Sequence, residues 1–230
     1  MKRFGVALAC FCLGLSALTG AVLPGKAKDS GPSKDIPLAE IDSKHRAIAE
    51  QILNKPSFSA RGPSEVFNGK PEQYLWLLDN PHRAVLAWRK LGAKCVSISS
   101  KGGGEFSWSD DMGSEVIWET VFKSGSMRIW LAEGKVRPNS LMPLVPVKVL
   151  VVLRHHEASM PDGTTALHHQ ADVFVHTDAK TAHMLLRMLG PAASRMAEDG
   201  LGQLQLFFSG LTWYLERHPD EAKDLLREGK

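Results

Sequence analysis

Apolar residues recur three or four apart in the last long stretch of the chain, at Ala193, Ala197, Leu201, Leu204, Phe208, Leu211 and Leu215. This spacing puts them on one face of a helix predicted over residues 191–218, roughly 42 Å long at 1.5 Å per residue. Leu206 and Trp213 make a second apolar line, so the helix is expected to be packed on two sides. Gly200, Gly202 and Gly210 each cost about 1 kcal/mol against alanine inside a helix, which points to a close approach of its backbone to sheet or ligand. Residues 38–53 place Leu38, Ile41, Ile48 and Ile52 among charged neighbours, the pattern of a surface helix. An extended segment follows over residues 57–67. Two short helices come next, the first opening at Pro71 and the second after Pro81 and ending at Gly92.

From Lys94 the period changes to two. Val96 and Ile98 alternate with serines, and Phe106 and Trp108 do the same beyond a Gly102 to Gly104 turn. A two-residue turn at Ser124-Gly125 would pair Phe122 with Met127, Thr120 with Ile129 and Trp118 with Leu131. The triple-proline stretch 138–146 is a loop. Two apolar strands then flank Pro161-Asp162-Gly163-Thr164. With Asp162-Gly163 at the tip, His156 faces His169, Arg154 faces Ala171, Val152 faces Val173 and Leu150 faces Val175. A helix over 179–189 and the Gly190-Pro191 break lead into the C-terminal helix.

The first 27 residues read as a secretory leader, with Lys2 and Arg3 ahead of an uncharged run from Phe4 to Leu23. The protein is therefore expected to be exported, to a periplasm or the exterior. An uncleaved N-terminal membrane anchor is the alternative, because the run is just long enough to span at about 20 residues. Residues 28–37 form a polar tether, 38–219 the folded domain and 220–230 a charged tail. Loss of Lys2, Arg3 and Lys26 with the leader removes the formal charge of +3. A neutral mature chain gives no basic surface for nucleic acid. Cys95 is then the one cysteine left, so no intramolecular disulfide forms, and stability rests on a core.

The histidines are the conspicuous polar residues. His156 opposite His169 brings two imidazoles together, but a zinc or copper site needs further ligands that the sequence does not place, and no metal or other cofactor is expected. Arg154, His156 and His169 interrupt a face otherwise built from Leu150, Val152, Ala171, Val173 and Val175. A buried cation there needs a partner, either a ligand headgroup or a protein carboxylate. Trp108, Trp118, Phe122 and Ile129, with Leu204 and Phe208 of the long helix, are candidate pocket walls or ordinary core. The chain has no GxSxG, HExxH, P-loop or GxGxxG pattern.

The element order, the two-helix insert DNPHRAVLAWRKLG, and a final strand leading into LGQLQLFFSGLTWYLERHP resemble the helix-grip fold of the START and Bet v 1-like superfamily. The resemblance covers roughly residues 58–218. It implies an α+β fold in which a curved antiparallel sheet wraps a long C-terminal helix around a hydrophobic cavity. It also implies a partner that is a hydrophobic or amphipathic small molecule, such as a lipid. An enzyme of the same fold acting on a hydrophobic substrate, and an interaction domain with a filled core, are the other readings.

Overall fold

The computed structural model describes residues 35–137, 143–159, 163–178 and 192–227. The leader, most of the tether and the helix expected over 179–189 lie outside the described residues.

Asp42 opens helix α1 (Ser43–Asn54) by accepting from the amides of Lys44 and His45 at 3.1 Å. Strands β1 (Phe58–Arg61) and β2 (Glu65–Asn68) follow, then helices α2 (Pro71–Asp79) and α3 (Pro81–Lys90), both with proline in the first turn. A meander of β3 (Ser99–Gly102), β4 (Glu105–Ser109), β5 (Glu115–Lys123), β6 (Met127–Val136), β7 (Val145–Ser159) and β8 (Thr165–His176) makes the body of the sheet. Helices α4 (Ala192–Arg217) and α5 (Pro219–Leu226) close the chain. The antiparallel order is β1-β8-β7-β6-β5-β4-β3, with β2 also along β8. The expected segment 57–67 is thus two strands, parted at Gly62-Pro63, where proline lacks the N–H a ladder needs. A Cβ on Gly62 would meet Gln205 Oε1 at 2.2 Å, so glycine permits the close approach of α4.

Both faces of the sheet are covered. Helix α1 and the turn before it bury Ile36, Ile41, Ala49 and Ile52 against Ile129, Leu131, Leu150, Val152 and Phe174 on the convex side. On the concave side α4 buries Leu201, Leu204, Phe208, Leu211 and Leu215. Two covered faces explain why β7 reads VKVLVVL without alternation: Leu150 and Val152 go to α1, while Val149, Val151 and Leu153 go to the concave core.

The registers differ from those expected, for two local reasons. Between β5 and β6 an irregularity lies between Thr120 and Phe122, giving Trp118 opposite Ala132 and Thr120 opposite Trp130, but Phe122 opposite Ile129. One extra residue reverses the alternation, so Trp118 faces the concave side while Phe122 and Ile129 join the convex cluster. Between β7 and β8, Ser159 pairs with Thr165, a longer connection than a two-residue turn. His156 consequently lies opposite His168, His155 opposite His169, and Arg154 opposite Gln170. This single step turns Arg154 and His156 to the convex face.

Helix α4 keeps its predicted stripe from Leu201 to Leu215, while the side chains of Ala193 and Ala197 lie outside the described residues; Leu206 and Trp213 are exposed, and the Arg217 guanidinium lies 4.6 Å from the centre of the Trp213 ring. The second packed side of α4 is polar. Gln205, Ser209 and Thr212 are buried there, with Gln205 Nε2 donating to Pro63 O at 2.8 Å. The expected charged tail is helical over α5, which buries Leu225. Lys90 of α3 donates to the carbonyl of Arg227 at 2.6 Å.

Candidate functional site

Between the concave face and α4 lies a cavity of about 120 Å³. Its floor is built from valines of the central strands, among them Val149, Val151 and Val173. Trp108, Trp118 and Trp130 supply aromatic walls, and Leu201, Leu204 and Phe208 of α4 form the roof. The void persists because large rings brace its rim. Phe208 stands edge-on to Phe207 at 5.0 Å between centroids and stacks with Trp130 at 6.3 Å and 12°. Trp88 of α3 anchors the same turn, its Nε1 donating to Phe207 O at 2.9 Å.

Beyond the cavity, a polar cluster joins β2, α2, β8 and α4. Tyr74 Oη lies 2.7 Å from His169 Nδ1, and His169 Nε2 lies 2.7 Å from Glu65 Oε2, which Ser209 Oγ also approaches at 3.4 Å. Burial, reinforced by the Glu65 charge, raises the Tyr74 phenol well above its ordinary value, so it stays protonated. The network assigns His169 the Nε2–H tautomer, with Tyr74 donating to Nδ1 and Nε2 donating to Glu65. None of these groups lines the cavity, and their bonds tie four elements together. Tyr74→Phe would leave a buried nitrogen unpaired. It is expected to cost about 2 kcal/mol in urea unfolding at pH 7; a loss below about 0.5 kcal/mol would remove the cluster from the list of stabilising features.

The nine residues singled out from the sequence separate into three groups. Trp108, Trp118, Leu204 and Phe208 line the cavity. His169 faces the concave side but belongs to the polar cluster. Phe122, Ile129, Arg154 and His156 do not reach the cavity. Arg154 pairs with Asp172, a buried carboxylate that also receives Arg61 Nε at 2.6 Å. The partner that Arg154 needs is therefore a protein carboxylate. His156 stacks on His168 at 4.5 Å, on the face opposite His169, so the two expected imidazoles cannot share an ion. Among the described residues no three metal-ligating side chains converge. Trp130, Tyr74, Glu65 and Gln205 were not singled out. Trp130 follows from the β6 alternation once the register is known, whereas nothing local marks the other three.

No protein-family model and no curated protein matches this sequence. Solved structures do. The crystal structure of Ara h 8.0201 is 12% identical, covering 70% of this chain and 98% of its own, with a TM-score of 0.45. A conserved protein from Geobacillus kaustophilus is 18% identical, covering 66% and 96%, with a TM-score of 0.41. Truncated norcoclaurine synthase from Thalictrum flavum is 9% identical, covering 65% and 93%, with a TM-score of 0.36. The sheet order with one long C-terminal helix across its concave face decides the architecture. The fold is a helix grip. At such low identity no residue role passes from these structures to this helix grip.

The electrostatics of this helix grip set its cavity apart from its surroundings. Arg128, buried on the concave side of β6, is held by Asp79, with Nε to Oδ1 at 3.0 Å, and donates to the carbonyls of Ser124 and Met127. His155 is buried with Nε2 unpaired, and burial first, then the Arg128 charge, pulls its pKa down to about 4. It is neutral at pH 7. Trp130 Nε1 is also buried without a hydrogen-bond partner, at a typical cost of about 1–3 kcal/mol.

Proposed function

We propose that the protein is an exported carrier that holds a hydrophobic or amphipathic small molecule, lipid-like in character, between sheet and C-terminal helix. The observation that carries this is the cavity itself, walled by apolar side chains inside a braced frame. A void of about 120 Å³ approaches the ~150 Å³ of an engineered apolar cavity that stays dry and takes up benzene. It suits one ring or a short chain end. Burying ~200 Å² of apolar ligand surface gains about 5 kcal/mol, which supports Kd values near a millimolar for one-ring probes. Longer ligands gain more by extending past the roof. Among the described residues that line the cavity none is titratable, which favours holding a ligand over transforming it.

Native mass spectrometry of the protein secreted by its own host, followed by organic extraction, tests this reading. A stoichiometric hydrophobic adduct is expected. Val151→Trp fills the floor and is expected to weaken ligand uptake at least about tenfold while thermal unfolding stays cooperative. An empty spectrum together with no uptake from a native lipid extract would leave a ligand-free interaction domain.

A further inference from the structure

We infer that the outer face of α4 is a homodimer surface, on which two copies of this chain pack their C-terminal helices antiparallel. Asp199, Gly202, Leu206, Gly210, Trp213 and Arg217 recur three or four apart and stay within about 40° of one direction on the helix, at about 100° per residue. Their stripe lies opposite the one that roofs the cavity, so a monomer would leave the carrier reading intact. Leu206 and Trp213 are 46% and 42% exposed on it, with Gly210 between them. Among the described residues, nothing calls for glycine at either position of the stripe. A Cβ on Gly210 would meet the Trp88 ring at 3.5 Å and Leu206 at 3.6 Å, and one on Gly202 would meet Pro63 at 3.7 Å, all ordinary contact distances. Neither glycine has a positive φ. Alanine would fit at both, so the helix stability that glycine forgoes is not recovered within the chain. Gly200 differs, because it lines the cavity. At Gly202 and Gly210 the close approach comes from outside.

The stripe is complementary to itself in one orientation. A two-fold axis crossing the helix midway between Leu206 and Gly210 sets Leu206 of each copy over Gly210 of the other. The same axis brings Trp213 within one residue of Gly202 of the partner subunit, and Arg217 onto Asp199 of the partner subunit. Each large side chain thus meets a glycine, and each charge meets its opposite. A parallel pair would instead set Arg217 against Arg217 and Asp199 against Asp199, which like charges oppose. Asp199 and Arg217 are both exposed, and the Arg217 guanidinium already lies 4.6 Å from the centre of the Trp213 ring. An arriving carboxylate therefore finds a cation held by the ring beside it. A shallow crossing of about 20° keeps the contact along the whole stripe. Two strips about 27 Å long bury on the order of 600 Å², below the ~1,200 Å² of a stable interface. The dimer is therefore reversible, with a Kd on the order of tens of micromolar.

Sedimentation velocity of the protein isolated from its host, over about 1–300 µM, is expected to show a monomer passing into a dimer. Gly202→Ala combined with Gly210→Ala is expected to raise the unfolding temperature of the dilute monomer, yet to weaken dimerisation at least about tenfold. A structural role for the glycines inside the chain would not divide the two readouts in this way. Arg217→Asp is expected to weaken the dimer at least about fivefold, and adding Asp199→Arg to bring it back within about twofold of the wild type. A monomer at every concentration, glycine variants that dimerise as the wild type does, or a double charge swap no tighter than Arg217→Asp alone overturns the inference. So does a monomer that binds phosphatidylcholine vesicles and loses that binding in Leu206→Glu, which assigns the face to a lipid surface.

Discussion

Phe208→Ala is expected to lower stability by about 4 kcal/mol, near the middle of the range for removing a buried phenylalanine. Phe208 is 2% exposed and touches Phe207, Trp130 and the cavity at once. Removal therefore enlarges a void that already exists instead of making a small one that neighbours can fill. Collapse is resisted because α4 is tied on both flanks, through Gln205 to Pro63 and through Phe207 O to Trp88. The penalty should appear as a lower urea midpoint with an unchanged slope. A loss under about 1.5 kcal/mol would mean that α4 settles into the sheet. In that case the frame does not hold the cavity open, and the carrier reading loses its physical basis. The same substitution is expected to admit a bulkier apolar probe than the wild type does.

The helix stripe from Leu201 to Leu215 and the order of elements were legible, because a periodicity of 3.6 or 2 needs only the side chains of one segment. Which strand residues face the cavity was not. That depends on parity, and one irregular residue resets it for a whole strand. Trp118 and Phe122 are four apart and share a face in any regular strand, yet the bulge between Thr120 and Phe122 separates them. The Asp162-Gly163 dipeptide indicated a tight tip, but the ladder closes at Ser159 and Thr165, so the histidine nearest His169 across the strands is His155 and not His156. Pairings distant in sequence were equally silent. Glu65 meets His169 only because β2 lies along β8, and the polar flank of α4 meets Pro63 only because the chain breaks at Gly62. A hydrophobic stripe marks one face of a helix; a face packed through Gln205, Ser209 and Thr212 looks like a solvated one.

His155 is expected to make the fold acid-labile, by about 3 kcal/mol between pH 7 and pH 4. Its side chain is 3% exposed on the concave side of β7, with Nε2 unpaired. The Tyr74 ring stands edge-on to it at 5.8 Å between centroids, the Arg128 charge opposes its protonation, and Asp79 favours it. Its folded pKa of about 4 lies below the ordinary 6.5, so the native state binds this proton less readily than the unfolded chain. Stability from this group is fully present above pH 6.5. It falls by about 1.4 kcal/mol per pH unit below that and levels near pH 4, where the folded protein also takes up the proton. Other groups titrate in the same window, so the measurement is a difference. Urea midpoints of the wild type and His155→Leu are compared at pH 7 and pH 4. Any packing cost of the leucine is common to both pH values and cancels. The variant is expected to lose about 3 kcal/mol less on acidification, and equal losses in the two proteins would show that His155 is hydrated or already paired in solution. Because His155 shares the concave core with the strands that floor the cavity, acidification acts on the frame that holds the ligand, and release on lowering the pH is expected to accompany the loss of stability.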